Sequence, residues 1–513
     1  MNNSNELKLG AILSYVTLFI GNLISIIYTP IMLRLLGQAE YGLFNLSNSV
    51  VGYLGLLNFG FGNAIVRYTA KYKALNDETG EANVNGLFLL VYTIIGIAVG
   101  VVGVILVFNV DNMFSNSLSI REVNRMKTLI GLMVFNMAIS FPFGVFGSII
   151  NAYEKYIYLK IIGLIRSILN PFIMLPLLLM GYKSIAMTVM STVVNIIFIA
   201  INVYYCFKVL KIKIKFSNLD FSIFGEIIVY SFYIFLNMIV DKIYWSTDQL
   251  IIGAVSGTVA VAIYSIGSTF NTYYMSFSTA ISGVFLPKVT KMVTNNVSNE
   301  DLSDLFIKTG RIQYIIMSFI FSGFLIIGKE FIYQWAGAGY EESFYIALVV
   351  MIPLTIPLIQ NLGITILQAK NMHKFRSILY ICIAIVNVIA SIPMAKIYGG
   401  IGAAVCTSIS MIIGNVIIIN IYYYKRIHLD ILHFWKNIIK MSIPVVISLI
   451  IGKLILSSIA MSGYLGLFIK GLMFTIIFFV FMWTMGMNNY EKEMFLEPIA
   501  KVRNKIIIKI KSV

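Results

Sequence analysis

Seven side chains in this sequence carry charge or a strong dipole where neither is cheap. Arg34, Arg67, Arg166, Asn170, Asp241, Lys242 and Asp248 each lie inside or at the end of a long apolar run. An ionisable group at the centre of a bilayer costs roughly 2.5–3.5 kcal/mol on insertion scales, so it is retained where it faces a cavity or a partner. A guanidinium or ammonium in such a place attracts an oxyanion, because charge-assisted hydrogen bonds strengthen in a low dielectric. Arg166 and Lys242 are candidates for that role, with Asn170 one helical turn after Arg166. Asp241 and Asp248 are seven residues apart and share one helix face with Tyr244 between them, which suits a cation site or a proton relay. Plainer readings stand beside these. Arg166 can be a structural ion-pair partner of Asp241, and Asp248 can sit at the outer end of its helix in water. Arg34 and Arg67, near the ends of their runs, can snorkel to headgroups.

Nothing else in the chain has the makings of covalent chemistry. There is no hydrolase, kinase or redox motif, and no nucleotide-binding loop. Gly60-Phe-Gly62 falls short of a dinucleotide fingerprint and lies in an apolar run. Cys206, Cys382 and Cys406 show no pairing framework, and His373, His428 and His433 are too scattered to ligate a metal. No catalytic residue, metal or cofactor is expected, so any energy for work must come from an ion gradient or from a cargo's own concentration difference.

The elements that hold these residues are membrane helices. Of 513 residues, 59% are hydrophobic and 12% charged, with a mean hydropathy of +0.88; a soluble chain carries about a quarter charged. A span takes about 20 mostly apolar residues, and fourteen such runs can be marked, the first near 9–36 and the last near 463–487. Met1 to Lys8 is polar and the run after it outlasts a signal-peptide core, so the first run reads as a retained span. The net charge of +16 is topogenic rather than a nucleic-acid footprint, because Lys and Arg gather in short connections. Alternate connections hold 27 and 7 of them, which puts both termini in the cytoplasm; only the hairpin at 111–127 departs from the pattern. The tail Lys501–Ser512 alternates Lys with apolar residues and reads as an interfacial segment on anionic lipid.

The sequence also repeats itself. Gly37–Val50 matches Gly257–Phe270 at an offset of 220, and Gly181–Ala186 faces Gly399–Ala404 at 218. Each copy holds six spans, an even number, so the two insert the same way up about an axis along the membrane normal, with a substrate path between them. Residues 1–215 and 216–430 are the two lobes, 431–490 carries helices thirteen and fourteen, and 491–513 is a basic cytoplasmic tail.

Three segments carry a family resemblance: Tyr28–Phe44, Asn58–Arg67, and Asp248–Gly253 followed by Ala262–Ile266. They resemble the polysaccharide transporters, the O-antigen-type flippases of the multidrug/oligosaccharidyl-lipid/polysaccharide exporter superfamily. That resemblance implies two six-helix lobes in a V around a cavity that opens to either side alternately. It further implies a cargo of sugars on a polyprenyl pyrophosphate, handed on by polysaccharide assembly proteins at a bacterial inner membrane. Arg166, Lys242, Arg34, Arg67 and Asn170 are then the cargo-contacting candidates, and Asp241 and Asp248 the Na+ or H+ coupling ones. The rival reading is a cation-coupled exporter of small amphiphilic drugs. A polytopic glycosyltransferase fits less well, because no external loop is long enough for a catalytic domain.

Overall fold

The computed structural model describes residues 3–217, 222–282, 285–372, 374–459 and 461–497. Among these it is built of helices, with no strand. The first set is α1 (Asn3–Leu36), α2 (Gln38–Gly52), α3 (Phe61–Ala74), α4 (Glu78–Phe114), α5 (Ile120–Ala152), α6 (Tyr156–Leu179), α7 (Ser184–Tyr204) and the long α8 (Ser222–Ser282). The second is α9 (Leu286–Thr294), α10 (Asn299–Ala336), α11 (Glu342–Ile359), α12 (Asn361–Ala369) and α13 (Lys374–Met411). A single turn, α14 (Ile419–Tyr422), precedes α15 (Ile431–Ser457) and α16 (Gly463–Phe481). The basic tail from residue 498 onward, and His373, lie outside the described residues.

Local chemistry sets the starts of several helices. Asp77 accepts the Gly80 N–H at 2.8 Å ahead of α4, and Asp430 accepts the His433 N–H at 2.9 Å ahead of α15. Ser119 and Glu122 form a capping box at α5, each side chain taking the other residue's N–H. Such caps satisfy donors that the helix itself cannot, for about 1 kcal/mol each.

Among the described residues, twelve helical stretches are long and apolar enough to cross a membrane, where the sequence leads to an expectation of about fourteen. Two of the twelve are over-long for one crossing, Phe235–Ser282 at 48 residues and Lys374–Ile427 at 54. Each contains one residue off the helical path, Gly257 (φ 81°) and Gly399 (φ 57°), where the repeat places turns. Glycine tolerates this conformation because no Cβ meets the following carbonyl. Each of these two stretches is thus two helices abutting at a glycine rather than one continuous helix. The second stretch, Gln38–Ala74, is also interrupted: Tyr53–Asn58 tightens to a 3₁₀ turn, and Phe59 and Gly60 are left-handed.

The chain gathers into two compact units, Met1–Ser268 with Lys374–Ser410, and Thr269–His373 with Met411–Val513, each counted over its described residues. In the first, α4 lies along α5, α1 along α6, and α5 against α7. The start of α2 meets the Gly257 break closely: a Cβ on Gly42 would fall 1.8 Å from the Thr258 carbonyl oxygen. Glu40 there pairs with Arg125 at 2.6 Å and accepts a hydrogen bond from Ser184. Thr258 in turn donates to Glu122 at 2.7 Å, tying α8 to the α5 cap.

In the second unit, α10 packs on α11, α15 and α16. Its strongest polar fixture is Arg311, whose Nε and Nη2 bind the Glu491 carboxylate at 2.6 and 2.9 Å. Nη1 reaches Asn437 at 3.0 Å and Nη2 the Gly486 carbonyl at 3.1 Å. Glu491 is 1% exposed, so this fork–fork pair is a buried staple between α10 and the segment after α16. The aromatic face of α16, Phe474 and Phe478, fills the core beneath it with Ile315, Met441 and Val445.

Candidate functional site

All seven side chains singled out from the sequence belong to the first unit. Five of them fall into three places in it, and Arg34 and Arg67 lie elsewhere.

The first place surrounds Asp248. The residue is 2% exposed, so it does not sit at a wet helix end. Its Oδ2 accepts hydrogen bonds from the Tyr264 hydroxyl at 2.6 Å and from Thr407 Oγ1 at 2.8 Å. The Asn387 amide donates to Thr407 Oγ1 at 3.1 Å, and Ser391 Oγ donates to Asn387 Oδ1 at 3.4 Å. The proton directions are fixed by this chain, since Thr407 spends its one hydrogen on the carboxylate. Helix breaks make the arrangement possible: Asp248 and Tyr264 flank Gly257 on α8, while Asn387 and Thr407 flank Gly399 on α13. The other carboxylate oxygen, Oδ1, is buried with no hydrogen-bond partner. An acceptor in that state costs about 1–3 kcal/mol, and an unshared carboxylate oxygen can take a proton or an alkali cation.

The second place surrounds Arg166 on α6. Its Nη2 donates to Asn195 Oδ1 at 2.9 Å, and the Asn195 amide donates on to Asn136 Oδ1 and Ser140 Oγ, both at 2.7 Å. The guanidinium also lies 6.0 Å from the Phe198 ring centre. Its hydrogen-bond partner on α7 is thus neutral, and among the described residues the pairing with Asp241 weighed from the sequence is not formed. Asn170, one turn on, has a buried Oδ1 without a partner.

The third place is the seam of α8 with α13. Asn237 accepts from Ser377 at 3.3 Å, Asp241 feels the charge of Arg376, and Tyr244 meets the Tyr380 ring at 6.5 Å. Arg376 itself covers the Tyr380 ring at 4.6 Å. Asn237, Asp241, Tyr244 and Asp248 follow one another at helical spacing, so the seam runs to the buried node. Lys242 points the other way: its Nζ would lie 2.8 Å from a Cβ on Gly52, at the last residue of α2. A cation there complements the helix C-terminus. Tyr53, at that same break, meets Thr247 in a short hydrogen bond.

Arg34 and Arg67 do not meet. Arg34 is in the last turn of α1, and Arg67 is midway along α3. All of α2 and the break at Tyr53–Gly60 lie between them along the chain. Both are exposed, and Arg67 lies 5.9 Å from the ring of its neighbour Tyr68.

The neutral partners were not singled out in the sequence: Tyr264, Asn387, Ser391 and Thr407 around Asp248, and Asn136, Ser140 and Asn195 around Arg166. The signal that finds them is the one applied to charges. An Asn within an apolar run is itself expensive, and Asn195 and Asn387 each sit in one.

Comparison with known proteins places this geometry. Residues 7–293 match the family described as polysaccharide biosynthesis protein. A proposed O-antigen transporter of Escherichia coli (strain K12) is 22% identical over 419 residues, which is 79% of this chain and 94% of that one. Its counterpart in Shigella flexneri is 23% identical, covering 77% and 92%. Among solved structures, the lipid II flippase MurJ in an inward closed conformation aligns with a TM-score of 0.71 at 17% identity, covering 95% of this chain and all of that one. An inward-facing multidrug resistance transporter of the MATE family aligns at 0.58 and 12% identity, covering 76% and 96%.

Proposed function

The chain belongs to the polysaccharide biosynthesis protein family, and on that premise we propose that it is a flippase for a polyprenyl-pyrophosphate-linked oligosaccharide. It works by alternating access across the bacterial cytoplasmic membrane, with both termini inside, in the assembly of a cell-surface polysaccharide. The observation that carries this reading is Arg166, a guanidinium deep in a span that donates a hydrogen bond to a neutral carboxamide. A charge held that way is uncompensated, and the phosphates of the cargo supply what it lacks. Lys242 serves the same anion nearer the α2 break, while the prenyl chain stays in lipid. Arg34 and Arg67, on different helices, take headgroup or cargo phosphates at different stages of the crossing.

Asp248 is the coupling group. Its unshared oxygen receives Na+ or H+, and Asp241 with Arg376 lines the seam that leads to it. Energy enters there as a cation gradient, without covalent chemistry.

Deletion of the gene is the test, followed by analysis of surface polysaccharide and of lipid-linked precursors. The reading expects surface polymer to fall and the lipid-linked oligosaccharide to accumulate on the cytoplasmic side, both restored by the gene in trans. Unchanged precursors, together with a new sensitivity to amphiphilic cations, would establish a drug exporter instead; the similarity to a multidrug transporter gives that reading its place.

A further inference from the structure

The two helices that follow the repeats, α15 and α16, meet α10 within the second unit and leave a cavity beside it. The three pack pairwise, and closely at Gly452, where a Cβ would lie 2.9 Å from the Phe474 ring and 3.0 Å from Ile326 Cδ1. Toward the C-terminal ends of α10 and α15 and the start of α16 they border a cavity of about 570 Å³. That is within the roughly 300–1,000 Å³ of small-ligand sites. Three charges stand in its wall, Glu330, Lys453 and Lys470, together with Ile326, Leu449 and Leu456. Lys470 Nζ holds the Glu330 carboxylate at 2.7 Å. Lys453 has no carboxylate partner among the described residues, so the cavity carries one ammonium in surplus.

The charges share one level. Glu330 is six residues from the end of α10, Lys453 four from the end of α15, and Lys470 seven from the start of α16. Each backbone position is thus about 6–11 Å below its helix end. Tyr333, Tyr345 and Tyr464 stand within a turn of the ends of α10, α11 and α16 on this same side, all exposed. Tyrosine collects where a bilayer meets water, so these rings mark the headgroup level, and lysine stems reach toward it from just beneath. With both termini inside, that level belongs to the outer leaflet. Leu325 and Ile450, also in the cavity wall, are exposed, so the cavity opens sideways to hydrocarbon.

Charge and shape together select the occupant. An acyl chain alone leaves Lys453 bare, and a zwitterionic headgroup adds no net charge to balance it. A phosphodiester monoanion on acyl chains meets both needs: its oxygens accept from the ammonium, and a chain lies along the apolar wall. Basic pockets between membrane helices hold anionic headgroups in this way. We propose that α10, α15 and α16 form a site for an anionic phospholipid of the outer leaflet. Its phosphate sits on Lys453 beside the Lys470–Glu330 pair, and one acyl chain follows Ile326, Leu449 and Leu456. The lipid fastens the two added helices to the second unit at its outer end. This goes beyond the flippase reading and needs only its orientation in the membrane.

The full-length protein in a neutral detergent is titrated with phosphatidylglycerol and, separately, with phosphatidylcholine of the same chains, and bound lipid is counted by native mass spectrometry. Phosphatidylglycerol is expected to bind at about 10-fold lower concentration. Lys453→Gln is expected to weaken it by about 10-fold, the effect of one charge-assisted hydrogen bond, and to erase the preference between the two lipids. Lys453→Arg should keep the preference, and Lys436→Gln, near the start of α15, should change nothing. Lys470 stays in place, because removing it would strand Glu330. Lys453 is exposed and unpaired, so Lys453→Gln should unfold at the native temperature when lipid is absent. Equal binding of the two lipids, or native binding of phosphatidylglycerol in Lys453→Gln, would show a lysine that only snorkels and would overturn the proposal. Displacement of the bound lipid by polyprenyl phosphate at lower concentration than by phosphatidylglycerol itself would assign the cavity to the cargo chain and overturn it as well. These measurements do not involve export, so a failure of the flippase reading would not be mistaken for a failure of this site.

Discussion

Replacing Arg166 by Ala separates a cargo contact from a structural one, and the structure fixes what each should cost. The guanidinium donates a hydrogen bond to Asn195 Oδ1 at 2.9 Å, while the Asn195 amide keeps its two bonds at 2.7 Å to Asn136 and Ser140. Its loss leaves one acceptor short, about 1–3 kcal/mol at most. Breaking a buried ion pair would cost about 3–5 kcal/mol by leaving a stranded charge; no carboxylate is stranded here. The protein should therefore insert and persist. A charge-assisted hydrogen bond to a phosphate is worth about 1.5–3 kcal/mol, and at 1.4 kcal/mol per decade that is roughly 10- to 140-fold in cargo handling. Arg166→Lys should recover part of it, because a compact ammonium lacks the planar fork. The measurement is surface polysaccharide, with externally accessible lipid-linked oligosaccharide, at equal protein levels. Native display in Arg166→Ala would refute the cargo role, and disappearance of the protein from the membrane would refute the estimate of its structural cost.

Asp248→Asn keeps the shape of the node and removes its charge; export should lose its dependence on an imposed Na+ or H+ gradient, and a gradient dependence identical to the native protein's would exclude Asp248 as the coupling group. Glu491→Ala strands the buried Arg311 guanidinium and should destabilise the second unit by about 3–5 kcal/mol, read as thermal unfolding in detergent, whereas the double change Arg311→Met with Glu491→Met should recover much of that. For the topology, a cysteine at Asn112 should react with an impermeant maleimide from outside and one at Lys211 only after the membrane is opened; the reverse pattern would invert the orientation.

What the sequence makes legible depends on whether the cause is local. Apolar runs and glycine turns are local, so Gly257 and Gly399 break α8 and α13 at turns that the sequence expects, and each stretch counted once among the twelve is two abutting helices. The interruption of the second span at Tyr53–Asn58 is not legible, because Tyr-Leu-Gly-Leu-Leu-Asn has the composition of any buried helix and contains no proline. Charge in an apolar run points to Asp248 and Arg166 readily. Their surroundings are hidden, because Thr407 is 159 residues from Asp248 and neutral, and Asn195 stands where a carboxylate was the simpler expectation. Arg311 misleads most: a base near the start of α10 that the pattern of Lys and Arg alone would make topogenic is the anchor of a buried staple whose acid lies 180 residues on.

The neutral partner of Arg166 has an electrical consequence. A fixed cation within a cavity that opens alternately to either side experiences first the inner potential and then the outer. Each elementary charge carried across 100 mV is worth about 2.3 kcal/mol. On the proposed reading, a pyrophosphate cargo of about two negative charges leaves an inside-negative cell with the Arg166 guanidinium and the Lys242 ammonium around it, so these groups move no net charge on the loaded stroke. The empty protein then returns with both positive charges inward, downhill in the field. An amide in place of a carboxylate beside Arg166 thus leaves the guanidinium's charge free to drive the empty stroke, and the membrane potential opposes neither.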